Sequence, residues 1–145
     1  MKTTELMIGD WVTFEGEPLK VQHVYNNGYD DVVAEIVEEF LDEDGVKCEE
    51  IEDVPSAYCS PIPLTPEILE KNGFGFVKSS DRDTVWNGQW IYEDLELGTC
   101  CLNREGNWPC FINMDDLNIK CEYVHQLQHA LRLCGFNKLA DNFKV

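Results

Sequence analysis

Glycine follows Glu, Asn or Asp between strand-like runs at five places in this chain: Glu15-Gly16, Asn27-Gly28, Asp44-Gly45, Asn87-Gly88 and Glu105-Gly106. A type I′ hairpin turn needs φ > 0 at both central residues, which glycine adopts freely and Asn or Asp at small cost. Each dipeptide therefore marks a candidate hairpin flanked by short strands. The flanks have the two-residue period of strands. Ile8, Asp10, Val12 and Phe14 alternate with Gly9, Trp11 and Thr13, and Leu19, Val21, His23 and Tyr25 share one face. Val32, Ala34 and Ile36 follow, and Val46, Cys48 and Glu50 form a return arm. The 32–40 run could wind as a helix, but it leads straight into Asp44-Gly45, which favours a strand. Four such strands predict a small antiparallel β-barrel or curled sheet, SH3-like in size, over residues 1–60.

Pro55, Pro61, Pro63 and Pro66 then mark an extended linker into a second module, residues 61–145. Thr65 is placed as a helix N-cap, Pro66 at the first helical position and Glu67 in the first turn, with Asn72-Gly73 as the stop. Strands are expected near 74–77, 84–86, 89–92, 99–102 and 108–112. A closing helix is expected from about 120 to 134, because Cys121, Val124, Leu127, Leu131 and Cys134 form one apolar stripe. The fold class is α+β: a β-barrel, a helix, a small antiparallel sheet and a C-terminal helix.

Charge narrows the function. The chain holds 28 acids and 11 bases, a formal net charge of −17. Residues 1–60 hold 16 of those acids and 3 of the bases, and residues 30–53 alone hold twelve acids against Lys47. Nucleic-acid affinity comes largely from Lys and Arg displacing counterions, so direct DNA or RNA binding is not expected, nor is docking on anionic lipid. At 43% hydrophobic residues the chain is too apolar for a disordered acidic tail and should bury a core. No apolar run suits a signal peptide or a membrane span, so the expected location is cytoplasmic. Seven cysteines, an odd number, then point to thiols rather than a disulfide framework.

Catalytic motifs are missing: there is no Gly-rich phosphate loop, no Gly-x-Ser-x-Gly elbow and no His-Glu-x-x-His. Asp42, Asp44 and Gly45 resemble a calcium loop, but counting back from Gly45 puts Phe40 at position one and Ile51 at position twelve. Cys121, His125 and His129 stand at i, i+4 and i+8 of the closing helix. Two of them can grip one ion, so His125 and His129 with a distant Cys are the candidate zinc site. The plainer reading is histidine in a buried hydrogen bond, with no cofactor. Around Glu105-Gly106, a two-residue turn would set Cys101 opposite Cys110 next to Pro109, with Cys100 beside them; no Cys-x-x-Cys supports a metal or redox site there. Across Asn87-Gly88, Trp90 would pair with Val85 and Tyr92 with Asp83. Trp86, Trp90, Tyr92 and Trp108 then read as core filling before they read as a binding patch.

The opening Leu6-Met7-Ile8-Gly9-Asp10-Trp11-Val12 with Gly16-Glu17-Pro18 and Val21, the centre Pro61-Ile62-Pro63-Leu64-Thr65-Pro66-Glu67-Ile68-Leu69 with Gly73-Phe74, and the closing Tyr123-Val124-His125-Gln126-Leu127-Gln128 form a set. Together they resemble small, functionally uncharacterised proteins of Bacteroides-type gut bacteria and their mobile elements and phages. The resemblance implies a bacterial or prophage cytosolic protein and brings no catalytic residue with it. The expected function is a non-enzymatic acidic binding or adaptor protein. Its contact residues would be Glu38, Glu39, Asp42, Glu43 and Asp44, and its partner a protein with a basic face. The alternative is a small-molecule-binding protein or enzyme with its site between the β-module and the C-terminal helix, built on Trp86, Cys121 and His125. A structural phage component is a third class.

Overall fold

At Glu15-Gly16 both residues take positive φ, 52° and 90°, and the chain folds back into a hairpin. Strands Trp11–Phe14 (β1) and Glu17–Lys20 (β2) pair across it, with Phe14 opposite Glu17. This is one hairpin of an α+β architecture with several small antiparallel sheets and few helices. The computed structural model describes residues 1–2, 5–78, 86–100, 110–114 and 117–145. The chain divides into two compact units, Met1–Pro61 and Ile62–Val145.

In the first unit β1 is the central strand of a three-stranded sheet, flanked by β2 and a strand at Cys59–Pro61. The second sheet is Tyr25–Asn26 (β3), Asp31–Leu41 (β4) and Lys47–Pro55 (β5), in that order. Here the expectation of a closed SH3-like barrel is corrected: the strands form two separate three-stranded sheets. The physical reason lies in β4. A register shift between Val32 and Ala34 turns three consecutive side chains, Val32, Val33 and Ala34, into buried positions. Beyond them the strand runs on to Leu41 instead of curling back to close a ring. Gln22 and His23 donate their N–H groups to Val33 O, at 2.9 and 3.3 Å, which ties the loop before β3 to β4.

The core of this unit gathers Leu6, Val12, Val21, Val33, Ala34, Val54 and Cys59. Asp10 is buried at its edge, and its Oδ2 accepts from Met7 N at 2.8 Å. Asp10 N donates to Met7 O and Gly9 takes φ 90°, so residues 7–10 form a closed turn. The Met1 ammonium donates to Ser56 O and Cys59 O, at 2.8 and 3.2 Å.

In the second unit the expected helix forms at Pro66–Lys71 (α1). Thr65 Oγ1 accepts from Ile68 N at 3.3 Å, and Gly73 ends it at φ 86°. Five antiparallel strands follow in a meander: Gly75–Lys78 (β6), Trp86–Tyr92 (β7), Leu95–Cys100 (β8), Cys110–Met114 (β9) and Leu117–Cys121 (β10). Asn87-Gly88 is not the turn expected of it; it lies inside β7, at a register shift. Trp90 stands opposite Phe76 and Leu97, and Tyr92 opposite Leu95, which replaces the expected pairs with Val85 and Asp83. Gly88 is required for closeness rather than for turning: a Cβ there would come within 2.5 Å of Val77 O and 2.6 Å of the Phe76 ring. The chain reverses at Glu93-Asp94 instead, where Glu93 takes φ 52°.

Cys110 pairs with Thr99 on one side and Cys121 on the other, so the expected register with Cys101 opposite Cys110 does not hold. Cys101, Trp108, Pro109 and the Glu105-Gly106 turn lie outside the described residues.

The closing helix also starts later than expected. Residues 117–121 are strand, and the helix (α2) is Val124–Leu133. Tyr123 is extended, and Gln126 Oε1 accepts from Glu122 N and Tyr123 N at 2.8 and 3.3 Å, so a side chain caps the start. Gly135 at φ 84° ends α2, and a short helix follows at Asn137–Asp141 (α3). Buried Gln128 on α2 donates to Ala140 O at 2.8 Å and binds the two together. Among the described residues no helix is long and apolar enough to cross a membrane.

Candidate functional site

The five contact residues expected from sequence lie on one hairpin, β4–β5. Its loop is built by Asp42. Asp42 Oδ1 accepts from Asp44 N at 2.9 Å and Val46 N at 2.8 Å, and Asp42 N donates to Val46 O at 3.0 Å. Gly45 supplies the left-handed residue, φ 77°, at the end of a three-residue loop. Asp42 therefore has a local structural role, and Glu43 and Asp44 stand at the tip.

Below the loop the register is Leu41–Lys47, Phe40–Cys48, Glu39–Glu49, Glu38–Glu50, Val37–Ile51, Ile36–Glu52 and Glu35–Asp53. In three of these pairs two acidic residues are partners in register, a destabilising arrangement for like charges. The salt bridge Lys47–Glu39, at 3.6 Å, is largely exposed on both sides and contributes little. Tyr25 Oη and Asn27 Nδ2 donate to the two oxygens of Asp53, each at 3.2 Å. Desolvation first, then the hydrogen bond to Asp53 and the charges of Asp53 and Glu35, raise the Tyr25 hydroxyl above its ordinary pKa.

The apolar residues of this arm are as informative as the acids. Val37 is 54% exposed, Phe40 48%, Leu41 65%, Val46 57% and Ile51 62%. The core ends at Ala34 and Val54, two pairs below Ile36 and Glu52. A two-stranded ribbon with neither face covered is marginal in water by itself. Clustered exposed apolar side chains on such an element indicate a surface that meets something.

Sequence reasoning placed the contact on β4 and the loop and passed over Glu49, Glu50 and Glu52 of β5. The return-arm assignment across Asp44-Gly45 was the signal that would have brought them in. An open depression of about 450 Å³ lies on this strand, lined by Glu50, Ile51, Glu52 and Asp53.

The residues of the alternative site are differently placed. Cys121 and His125 are both buried near the start of α2. His125 stacks on Tyr123, with ring centroids 6.0 Å apart, and meets His129 edge-on, also at 6.0 Å. His125 and His129 are thus brought together. Among the described residues, no group of three or more His, Cys, Asp and Glu side chains is placed to hold a metal ion. Trp86 is far from Cys121 along the sheet. The row from Cys121 passes Cys110 and Thr99 to Gly88, three strands or roughly 14 Å away, and Trp86 lies two residues further along β7.

Compared with known proteins, the chain matches no family model, no curated sequence and no solved structure. The reading of its function therefore rests on the arm.

Proposed function

We propose that this is a non-enzymatic binding or adaptor protein whose β4–β5 arm contacts a basic-faced protein. The observation that carries the reading is the arm itself: carboxylates opposed on paired strands, interleaved with five exposed apolar side chains and extending past the core. Folding alone gives no reason to oppose like charges across a ribbon. A basic partner does, because it turns each repulsive pair into an attraction and covers the apolar positions. The only thiol among the arm's described residues, Cys48, donates to Asp42 Oδ2 at 4.0 Å, and the arm's remaining chemistry is that of electrostatic recognition. The sequence resemblance to small proteins of Bacteroides-type bacteria and their mobile elements suggests a partner in such a cell.

The test is charge reversal at Glu38, Glu39, Glu43 and Asp44, with Asp42 left in place because it closes the loop. Wild-type and reversed proteins, both tagged, are used to capture partners from bacterial lysate at low and at high salt. The expected result is a stoichiometric basic protein held by the wild type, released by salt and absent from the reversed protein. Equal capture by both proteins would exclude Glu38, Glu39, Glu43 and Asp44 as the contact.

A further inference from the structure

The outer edge of β5 gives the proposed contact a specific form. In its sheet β5 pairs with β4 alone, so the backbone groups along its far side have no strand partner among the described residues. The depression lined by Glu50, Ile51, Glu52 and Asp53 lies on the same strand. Unpaired strand edges accept an added strand, whose main-chain bonds supply affinity and whose alternate side chains supply specificity.

We infer that the edge of β5 binds an extended segment of another protein with the pattern basic–basic–apolar–basic–basic. The inference rests on the reading of the arm as a basic-protein contact and deepens it. The pattern follows from Glu49-Glu50-Ile51-Glu52-Asp53. Successive side chains of a strand point to opposite faces, so each acidic doublet places one carboxylate on either face. A partner with basic residues at every second position would satisfy one face and leave the other unmatched. Adjacent basic residues satisfy both. Ile51 is exposed and stands beside Val37, so an apolar residue belongs opposite it. The pattern reads the same in both directions and suits a parallel or an antiparallel strand.

A second copy of this chain does not fit that edge. Two β5 edges laid together would bring acidic doublets against acidic doublets. Glu49, Glu50 and Glu52 are exposed, and Asp53 is engaged by Tyr25 and Asn27.

The experiment uses the unmodified protein and three synthetic peptides. One carries Lys-Lys-Val-Lys-Lys between threonines. The second has the same residues with valine moved to one end. The third is the first with alternate backbone nitrogens methylated, which keeps the charge and removes the edge donors. Fluorescence anisotropy gives affinity, and amide hydrogen exchange locates the contact. The first peptide is expected to bind about tenfold tighter than either control and to slow exchange along β5. Equal affinity of the methylated peptide would overturn strand addition, and equal affinity of the rearranged peptide would overturn the pattern. Either outcome leaves the arm's electrostatic role standing, because the lysate capture with the charge-reversed protein tests that role separately. Absence of binding by all three peptides would also overturn the inference.

Discussion

The side-chain amide of Asn72 occupies the C-cap of α1 and also holds the C-terminal segment. Its Nδ2 donates to Ile68 O and Lys144 O, each at 2.7 Å, and its Oδ1 accepts from Lys144 N at 2.8 Å. One amide thus imitates a strand neighbour for Lys144, and Phe143 beside it is buried. Sequence marked Asn72 only as a helix stop, because nothing local shows a partner 72 residues away. Asn72→Ala should destabilise the protein by about 1–3 kcal/mol, since backbone groups of Lys144 lose their partners near the core. Urea denaturation measures the change; an unaltered midpoint would mean that water replaces the amide without loss. Cys59 shows burial acting on chemistry. Burial, partly offset by the nearby N-terminal ammonium, raises its thiol above the ordinary 9.0. A raised value means that folding favours the protonated form. Its contribution to stability is full below pH 9.0 and declines as the pH climbs through the folded value. Cys59 should therefore resist alkylation in the native protein while the half-buried Cys48 of the arm reacts. Mass spectrometry after a brief iodoacetamide pulse reads both sites, and early labelling of Cys59 would show that this part of the core opens readily.

At the scale of elements, the acidic arm carries its own tension. Glu39–Glu49 and Glu38–Glu50 oppose like charges near its middle. Changing Glu49→Lys and Glu50→Lys converts both pairs to attractions. Each conversion should stabilise the ribbon by roughly 0.2–1 kcal/mol at low ionic strength. The gain should shrink as salt approaches the range where the Debye length falls to about 8 Å. Denaturation of the double variant at two salt concentrations checks this, and the same variant should bind the basic peptide more weakly. Opposite movements of stability and binding are the mark of charges placed for a partner. The elements also show where sequence reading succeeds. Thr65, Pro66 and Asn72-Gly73 placed α1 correctly because caps are local chemistry. The long strand at 31–41 was legible as a strand, but its reach past the core was not, since period-two alternation does not say which faces are covered. Asn87-Gly88 misled because Gly88 serves the close approach of Phe76 and the Val77 carbonyl, a tertiary demand that looks like a turn signal in one dimension. The start of α2 was set too early because the apolar stripe at Cys121 continues from strand into helix without changing composition.

For the whole molecule, the question is whether the arm is an attachment to the fold or part of what holds it together. The core of the first unit lies at Leu6, Val12, Val21, Val33, Ala34, Val54 and Cys59, all outside residues 37–51. Ile36 and Glu52 are partners in register, so the strands can be joined there by an Asn-Gly turn in place of those residues. The excision removes seven acids and one base and takes the formal net charge from −17 to −11. No buried core residue is lost, and the like-charge pairs Glu38–Glu50 and Glu39–Glu49 go with the arm. The shortened protein is therefore expected to keep its stability within about 1 kcal/mol of the full chain, because surface changes away from packed or bonded groups have effects of this order. It is also expected to lose salt-sensitive capture of the basic partner and affinity for the doublet peptide. Circular dichroism and urea denaturation measure the first, and anisotropy and lysate capture the second. A shortened protein that folds and still captures the partner would move the contact elsewhere. One that fails to fold would show that the ribbon supports the core, and the charge-reversed full-length protein would then decide the binding role alone.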